Sequence, residues 1–180
     1  MFIQTEATPN PATLKFIPGR DVMPAGTADF RDASAATNSP LATRIFSLDD
    51  VKAVFLGSDF ITVTKHDAAD WQVLKPAVLG AVMEHFTAGL PVIETSAVST
   101  DAESNDPIVV QIKELIETRV RPAVAADGGD IVYRGFEDGV VLLEMQGSCS
   151  GCPSSTATLK HGIENMLKHF VPEVQSVRAV

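Results

Sequence analysis

Residues 131–170 read IVYRGFEDGVVLLEMQGSCSGCPSSTATLKHGIENMLKHF, and the fold of the second half of the chain follows from them. Ile131–Phe136 and Val140–Met145 alternate apolar and polar residues, the period of two expected of strands with one buried face. Glu137–Asp138–Gly139 lies between them, so the two runs read as a β-hairpin. The period then changes. Leu159, Ile163, Met166, Leu167 and Phe170 recur at helical spacing within a segment running from Ser150 to Phe170. Pro153 opens that helix, because its missing N–H would have no partner in the first turn.

Working upstream, Asp106 caps a helix that starts at Pro107, with Ile108, Ile112, Leu115 and Ile116 on its apolar face. Pro122 is expected to interrupt this helix. The stretch VRPAVAADGGD (120–130) then forms a second short helix, stopped by Gly128–Gly129. Downstream, Glu173–Val180 alternates as a last strand. The order α-α-β-β-α-β predicts an α/β domain of the α+β type, a small sheet covered by helices on one face.

The segment TSAVSTDAESND (95–106) carries three carboxylates and no cation. It cannot bury apolar surface and is expected to be a flexible acidic linker. Residues 1–94 and 107–180 therefore form two small domains. In the first, Phe2–Glu6 and Thr13–Ile17 read as strands around the proline-rich turn TPNP, with a third near Thr27–Phe30. The connection to Asn38 has no clear signal. Ser39 caps one or two helical turns through Phe46 with Pro40 at the first position. Val51–Leu56 and Asp59–Lys65 form a hairpin across Gly57–Ser58. Asp70 to about Ala88 reads as a helix whose apolar positions are Val73, Leu74, Ala77, Val78, Ala81, Val82 and Phe86, with Pro76 a candidate for its true start.

The full chain has 180 residues, 45% of them hydrophobic and 21% charged, which is enough to build real cores. Its formal net charge of −9 comes without any basic cluster, and this argues against nucleic acid as a partner. No apolar run reaches the ~20 residues of a membrane span. The opening MFIQTEATPNPATLKF has neither a basic, apolar signal region nor an Arg-rich leader. A soluble bacterial cytoplasmic protein is expected, with a processed mitochondrial matrix protein as the alternative.

Chemistry concentrates on the two cysteines of the chain, Cys149 and Cys152. One pair cannot staple 180 residues, so a disulfide scaffold is excluded. The pair falls between a strand end and a helix start, where free N–H groups and the positive end of the helix dipole favour thiolate. Gly147 and Gly151 allow a tight turn beside the sulfurs. A C-x-x-C at such a place serves either metal binding or dithiol redox chemistry. Thioredoxin-like enzymes, however, place theirs in a βαβ context rather than after a hairpin. Zinc and iron–sulfur clusters take four ligands. His161 and His169 are more readily solvated helix residues than ligands, so the simplest completion is a second copy, two chains about a twofold axis giving Cys₄.

The segments GSCSGCPSSTATLKHGIENML (147–167) and RPAVAADGGDIVYRGFEDGVVLLEMQG (121–147) resemble the NifU-like C-terminal domain of the Nfu family of iron–sulfur cluster carriers. TEATPNPATLKFIPG (5–19) resembles that family's N-terminal domain. The resemblance covers nearly the whole chain, in the same domain order. It implies a non-enzymatic carrier with a 4Fe–4S cluster bridging a homodimer through Cys149 and Cys152. Upstream iron–sulfur scaffolds would load it and apo-proteins would receive the cluster. Four thiolates suit 2Fe–2S equally, and the preference for 4Fe–4S comes from the resemblance alone. The alternatives are a dithiol–disulfide oxidoreductase and a zinc-bridged dimeric interaction module.

The remaining candidates have plainer readings. Asp127–Gly128–Gly129–Asp130 is better explained as a helix-to-strand turn than as an acidic metal loop. His66 and His85 have no neighbouring partner in sequence, and Trp71 reads as a packing anchor. No phosphate-binding glycine motif is present, and Ser154, Ser155 and Thr156 lack a His–Asp relay.

Overall fold

The computed structural model describes residues 2–94, 105–148 and 153–180, the side chains of the last segment from Ala157 onward. The chain divides into two compact units, Met1–Val98 and Ser99–Val180. Both mix helices with a small sheet, as the α+β reading requires. The expected linker falls largely on 95–104, outside the described residues.

In the first unit the strands are β1 (Gln4–Ala7), β2 (Thr13–Ile17), β3 (Ala28–Phe30), β4 (Val51–Leu56) and β5 (Ile61–Lys65). They pair antiparallel in the order β1-β2-β5-β4-β3. Helices α1 (Pro40–Phe46) and α2 (Trp71–Thr87) complete the core, in which Phe16, Leu41, Ile45, Val54, Leu56, Ile61, Val63, Val78 and Val82 are fully buried. Each such side chain contributes about 1.5–3 kcal/mol over its exposed state. The expected cap is in place, Ser39 Oγ accepting from the Ala42 N–H, and Asp70 caps α2 by accepting from the Gln72 N–H. Trp71 acts as the expected anchor, its Nε1–H donating to Pro11 O at 3.2 Å.

Several expectations are corrected. The first strand starts at Gln4 rather than Phe2, whose side chain is 79% exposed. The unassigned stretch before Asn38 holds a 3₁₀ turn, Ala33–Ala36, capped by Asp32. Pro76 does not start α2 but sits inside it. Val73 faces solvent, and the buried positions of the helix are Leu74, Val78, Val82 and His85. While a valine faces solvent, a histidine thus stands among the buried positions of the helix. Burial, then the positive charge of Arg44, holds its pKa below the usual imidazole value.

In the second unit, α3 (Pro107–Leu115) and α4 (Arg121–Ala126) precede β6 (Gly129–Glu137), β7 (Val140–Gly147), α5 (Pro153–Phe170) and β8 (Ser176–Ala179). Pro122 does not break the helix. Residues Ile116–Val120 form a π-helical turn that joins α3 to α4, with the Arg121 N–H reaching Ile116 O five residues back. The wider turn accommodates a proline ring that would otherwise collide with the carbonyl four residues earlier. The hairpin β6–β7 is antiparallel, while β7 and β8 are parallel with α5 as the crossover. Its turn is tighter than expected, because Glu137 pairs with Val140 and only Asp138 and Gly139 remain between them. Both have positive φ, 50° and 78°, as a two-residue hairpin turn of this hand requires.

Ile112, Ile116, Val120, Val124, Ile131, Val141, Leu143, Met145, Ile163 and Leu167 fill the core between sheet and helices. Phe170 departs from the helical pattern. It is 39% exposed, with the Arg119 guanidinium 4.9 Å from its ring centroid, and Val171, Val174 and Val177 close the core instead. No helix among the described residues is long and apolar enough to cross a membrane.

Candidate metal centre

The hairpin and α5 deliver the cysteine segment. Strand β7 runs to Gly147, and α5 starts at Pro153, directly after Cys152 in sequence. Cys149 and Cys152 themselves lie outside the described residues. What the structure describes is the frame on either side of them. On the entry side, Gly147 has φ 66° and turns the chain out of the strand. Ser148, 1% exposed, then folds back onto the turn that joins α4 to β6. Its N–H donates to Gly128 O at 3.2 Å and its hydroxyl donates to Asp127 O. The pairing continues with Gly129 opposite Gly147 and Asp130 opposite Gln146.

That turn is itself anchored. Asp130 is buried, its side chain 4% exposed, and its carboxylate accepts from Arg121 Nε at 2.9 Å and Nη2 at 2.8 Å. One of its oxygens also accepts from the Ile131 N–H at 2.8 Å. Arg121 extends the network to Glu117 through Nη1 at 2.7 Å, and its hydrogen bonds to the Asp130 carboxylate raise the guanidinium pKa further above its usual range. The Asp127–Asp130 segment is therefore a helix-to-strand turn, with Gly128 at φ 80° and its aspartate committed to an arginine. Among the described residues no group of three or more His, Cys, Asp and Glu side chains is arranged to hold a metal ion.

On the exit side, α5 is tied to β8 through Glu164. Its carboxylate accepts from Lys168 Nζ at 2.8 Å and from the Val177 N–H at 3.1 Å, and these bonds lower its pKa. His161 and His169 are exposed on this helix, the latter edge-on to Phe170 at 5.0 Å, as expected of solvated residues. The sequence reading missed Arg121, Asp130 and Ser148. Only the Glu117–Arg121 pair, four residues apart on a helix, carried a local signal.

Two family descriptions match the chain along its length. "Scaffold protein Nfu/NifU N terminal" covers residues 3–89 and "NifU-like domain" covers residues 112–178. The human protein named "NFU1 iron-sulfur cluster scaffold homolog, mitochondrial" is 52% identical over 183 residues, a match spanning the whole of this chain and 72% of that protein. The chain belongs to the Nfu family. A Drosophila sechellia relative of the same name is also 52% identical, over 184 residues and 65% of its length. The chain thus spans about two thirds of the curated relatives it matches. A solution structure of a NifU-like protein from Saccharomyces cerevisiae is 24% identical, with a TM-score of 0.48, covering 53% of this chain and 86% of that one.

Proposed function

We propose that this Nfu-family chain is a non-enzymatic carrier that holds an iron–sulfur cluster as cargo between two copies and passes it to apo-proteins. One observation carries the reading. Both cysteines of the chain lie in one C-x-x-C between β7 and α5 in sequence, inside the NifU-like match. Two thiolates satisfy half of a four-ligand cluster, so a second copy completes it. Cys149 and Cys152 are the ligands, and 4Fe–4S is the cluster favoured by membership in the family. Relatives at 52% identity bear the words "iron-sulfur cluster scaffold" in their names. Their names also carry the word mitochondrial, which supports a mitochondrial matrix location over the bacterial cytoplasm expected from sequence.

In this proposal residues 1–94 are the Nfu-type domain, 95–106 the linker and 107–180 the cluster domain. The first domain contains no cysteine, so it contributes recognition of donors or recipients rather than ligands. The test is anaerobic reconstitution of the full chain with iron and sulfide, followed by iron and sulfide analysis and sedimentation. A coloured dimer with about four iron and four sulfide per two chains, turning to monomer on chelation under reducing conditions, supports the carrier. Tightly held zinc without sulfide points to the interaction module. A colourless monomer that reduces disulfides through one attacking thiol points to the oxidoreductase.

A further inference from the structure

We propose that Arg121, Asp130 and Ser148 form a clamp that fixes the backbone entering the cysteine loop and thereby sets how readily the site releases its cargo. The inference rests on the carrier reading above and adds positioning residues to it. Taking a carboxylate out of water costs much of what its attraction to a guanidinium returns, so a buried Asp130 paired with a part-exposed Arg121 is a weak source of stability. The Arg121–Asp130 pair therefore asks for a reason beyond stability, and its location supplies one. Asp130 stands at the start of β6, opposite Gln146 and beside the Gly129–Gly147 pair where the hairpin hands over to the cysteine segment.

The chain of contacts is continuous. Glu117 and Asp130 hold the Arg121 guanidinium from two sides, at 2.7 and 2.8 Å. Asp130 also takes the Ile131 N–H, so the turn cannot shift without breaking a charge-assisted bond. Asp127 and Gly128 in that turn offer their carbonyls to the hydroxyl and N–H of Ser148. Cys149 is the next residue in sequence. One ligand thus leaves from backbone held by both an amide and a hydroxyl bond. Such preorganisation lowers the cost of holding the cluster and slows its departure. Losing a neutral hydrogen bond shifts an equilibrium by roughly two- to tenfold, and losing a charge-assisted one by more.

The test uses the full chain as wild type, Ser148→Ala, Asp130→Asn and Glu164→Gln. The last loosens the α5–β8 contact, away from the clamp, and serves as a control for general destabilisation. Three quantities are read: the rate of cluster loss to a ferrous chelator, the alkylation rates of Cys149 and Cys152 in apo protein by mass spectrometry, and the unfolding midpoint. Release is expected to quicken by roughly three- to tenfold in Ser148→Ala and more in Asp130→Asn. Alkylation of Cys149 should rise relative to Cys152 in both. Glu164→Gln should lower the midpoint yet leave release and the alkylation ratio within about twofold of wild type. Unchanged release and ratio in Ser148→Ala and Asp130→Asn overturn the clamp. So does a control that reproduces their effects in proportion to lost stability. If Asp130→Asn does not fold, Ser148→Ala against the control decides. If wild type takes up no cluster, the carrier reading fails, and the alkylation ratio alone judges the clamp.

Discussion

Replacing Gly57 by alanine tests how tightly the first unit is built and whether it folds apart from the second. Gly57 lies between β4 and β5, where its N–H donates to Phe60 O at 2.9 Å and its carbonyl accepts from the Met23 N–H at 3.2 Å. An added Cβ would stand 2.3, 2.4 and 2.7 Å from Cε1, Cζ and Cδ1 of the Phe60 ring. Carbon atoms rest at about 3.5–4.0 Å, so the ring must retreat by about 1 Å or more. It has little room. Phe60 is 4% exposed, packed against Phe55 at 5.9 Å and under Lys15 Nζ at 4.8 Å. Overpacking of this kind costs about 1–3 kcal/mol. For a unit of this size each kcal/mol lowers the midpoint by roughly 4–8 °C. Calorimetry of the full chain under reducing conditions should show one transition falling by roughly 5–20 °C and the other unmoved. Adding Phe60→Leu should recover part of the loss, because the two sites are in contact and do not act additively. An unmoved first transition would refute the packing argument, and two transitions falling together would refute independent units.

Three other outcomes are expected. Ser39→Ala removes both the cap on the Ala42 N–H and the 2.6 Å bond from Ser39 Oγ to Val92 O, at a fully buried position; chemical denaturation should show a loss of about 1–2 kcal/mol. Folded His85 has a pKa below the ordinary 6.5, so the unfolded chain takes up the proton first as pH falls. Stability of the first unit is complete above about pH 6.5 and declines as pH drops from there toward the folded value; His85→Leu should flatten that slope in denaturant midpoints measured from pH 7.5 to 5. Cys149→Ser and Cys152→Ser each remove two of four ligands from a symmetric bridge, so both should lose iron and sulfide on reconstitution to the same extent while keeping the far-ultraviolet dichroism of wild type. A full cluster on either variant would overturn the symmetric assignment.

What was legible in the sequence was local. Ser39 and Asp106 cap the helices they precede because a cap depends on a hydrogen bond spanning two or three residues. The hairpin was legible from its alternation and its Asp138–Gly139 turn signal, although the turn closes one residue tighter than the sequence reading placed it. The order β1-β2-β5-β4-β3 was not legible, since β2 meets β5 across some fifty residues and nothing in either strand names its partner. Pro122 was read as a breaker because its local preference is to stop a helix. The tertiary packing of Ile116, Val120 and Val124 against the sheet keeps the helical path, and a π turn absorbs the misfit. The sequence does not decide between surface and core for His85, because its polarity and its helical position pull in opposite directions, and the structure buries it. Cys149 and Cys152 stand out as candidates because motif and spacing are local, and both lie outside the described residues. Arg121 and Asp130 were missed because their meeting requires the turn between helix and strand to be already folded.

On the proposed carrier reading, the two halves of the chain divide the work. A cluster held by four cysteines of one fold would be lost only by opening that fold. With two thiolates per chain, each departure is matched by a recipient thiol arriving, and neither domain has to unfold. Such a site also risks giving up its cargo to any thiol in solution, because association is weakened by dilution. The clamp at Ser148 answers that risk from one side by lowering the reorganisation needed to hold the cluster. The cysteine-free first unit answers it from the other. In the carrier proposed above, a well-packed domain with no ligand to offer would serve by raising the local concentration of the right recipient. Cutting the chain within 95–106 should therefore leave cluster content unchanged and remove the preference among recipients. A separated cluster domain that discriminates between recipients as the full chain does would place recognition in residues 107–180 and leave the first unit without this role.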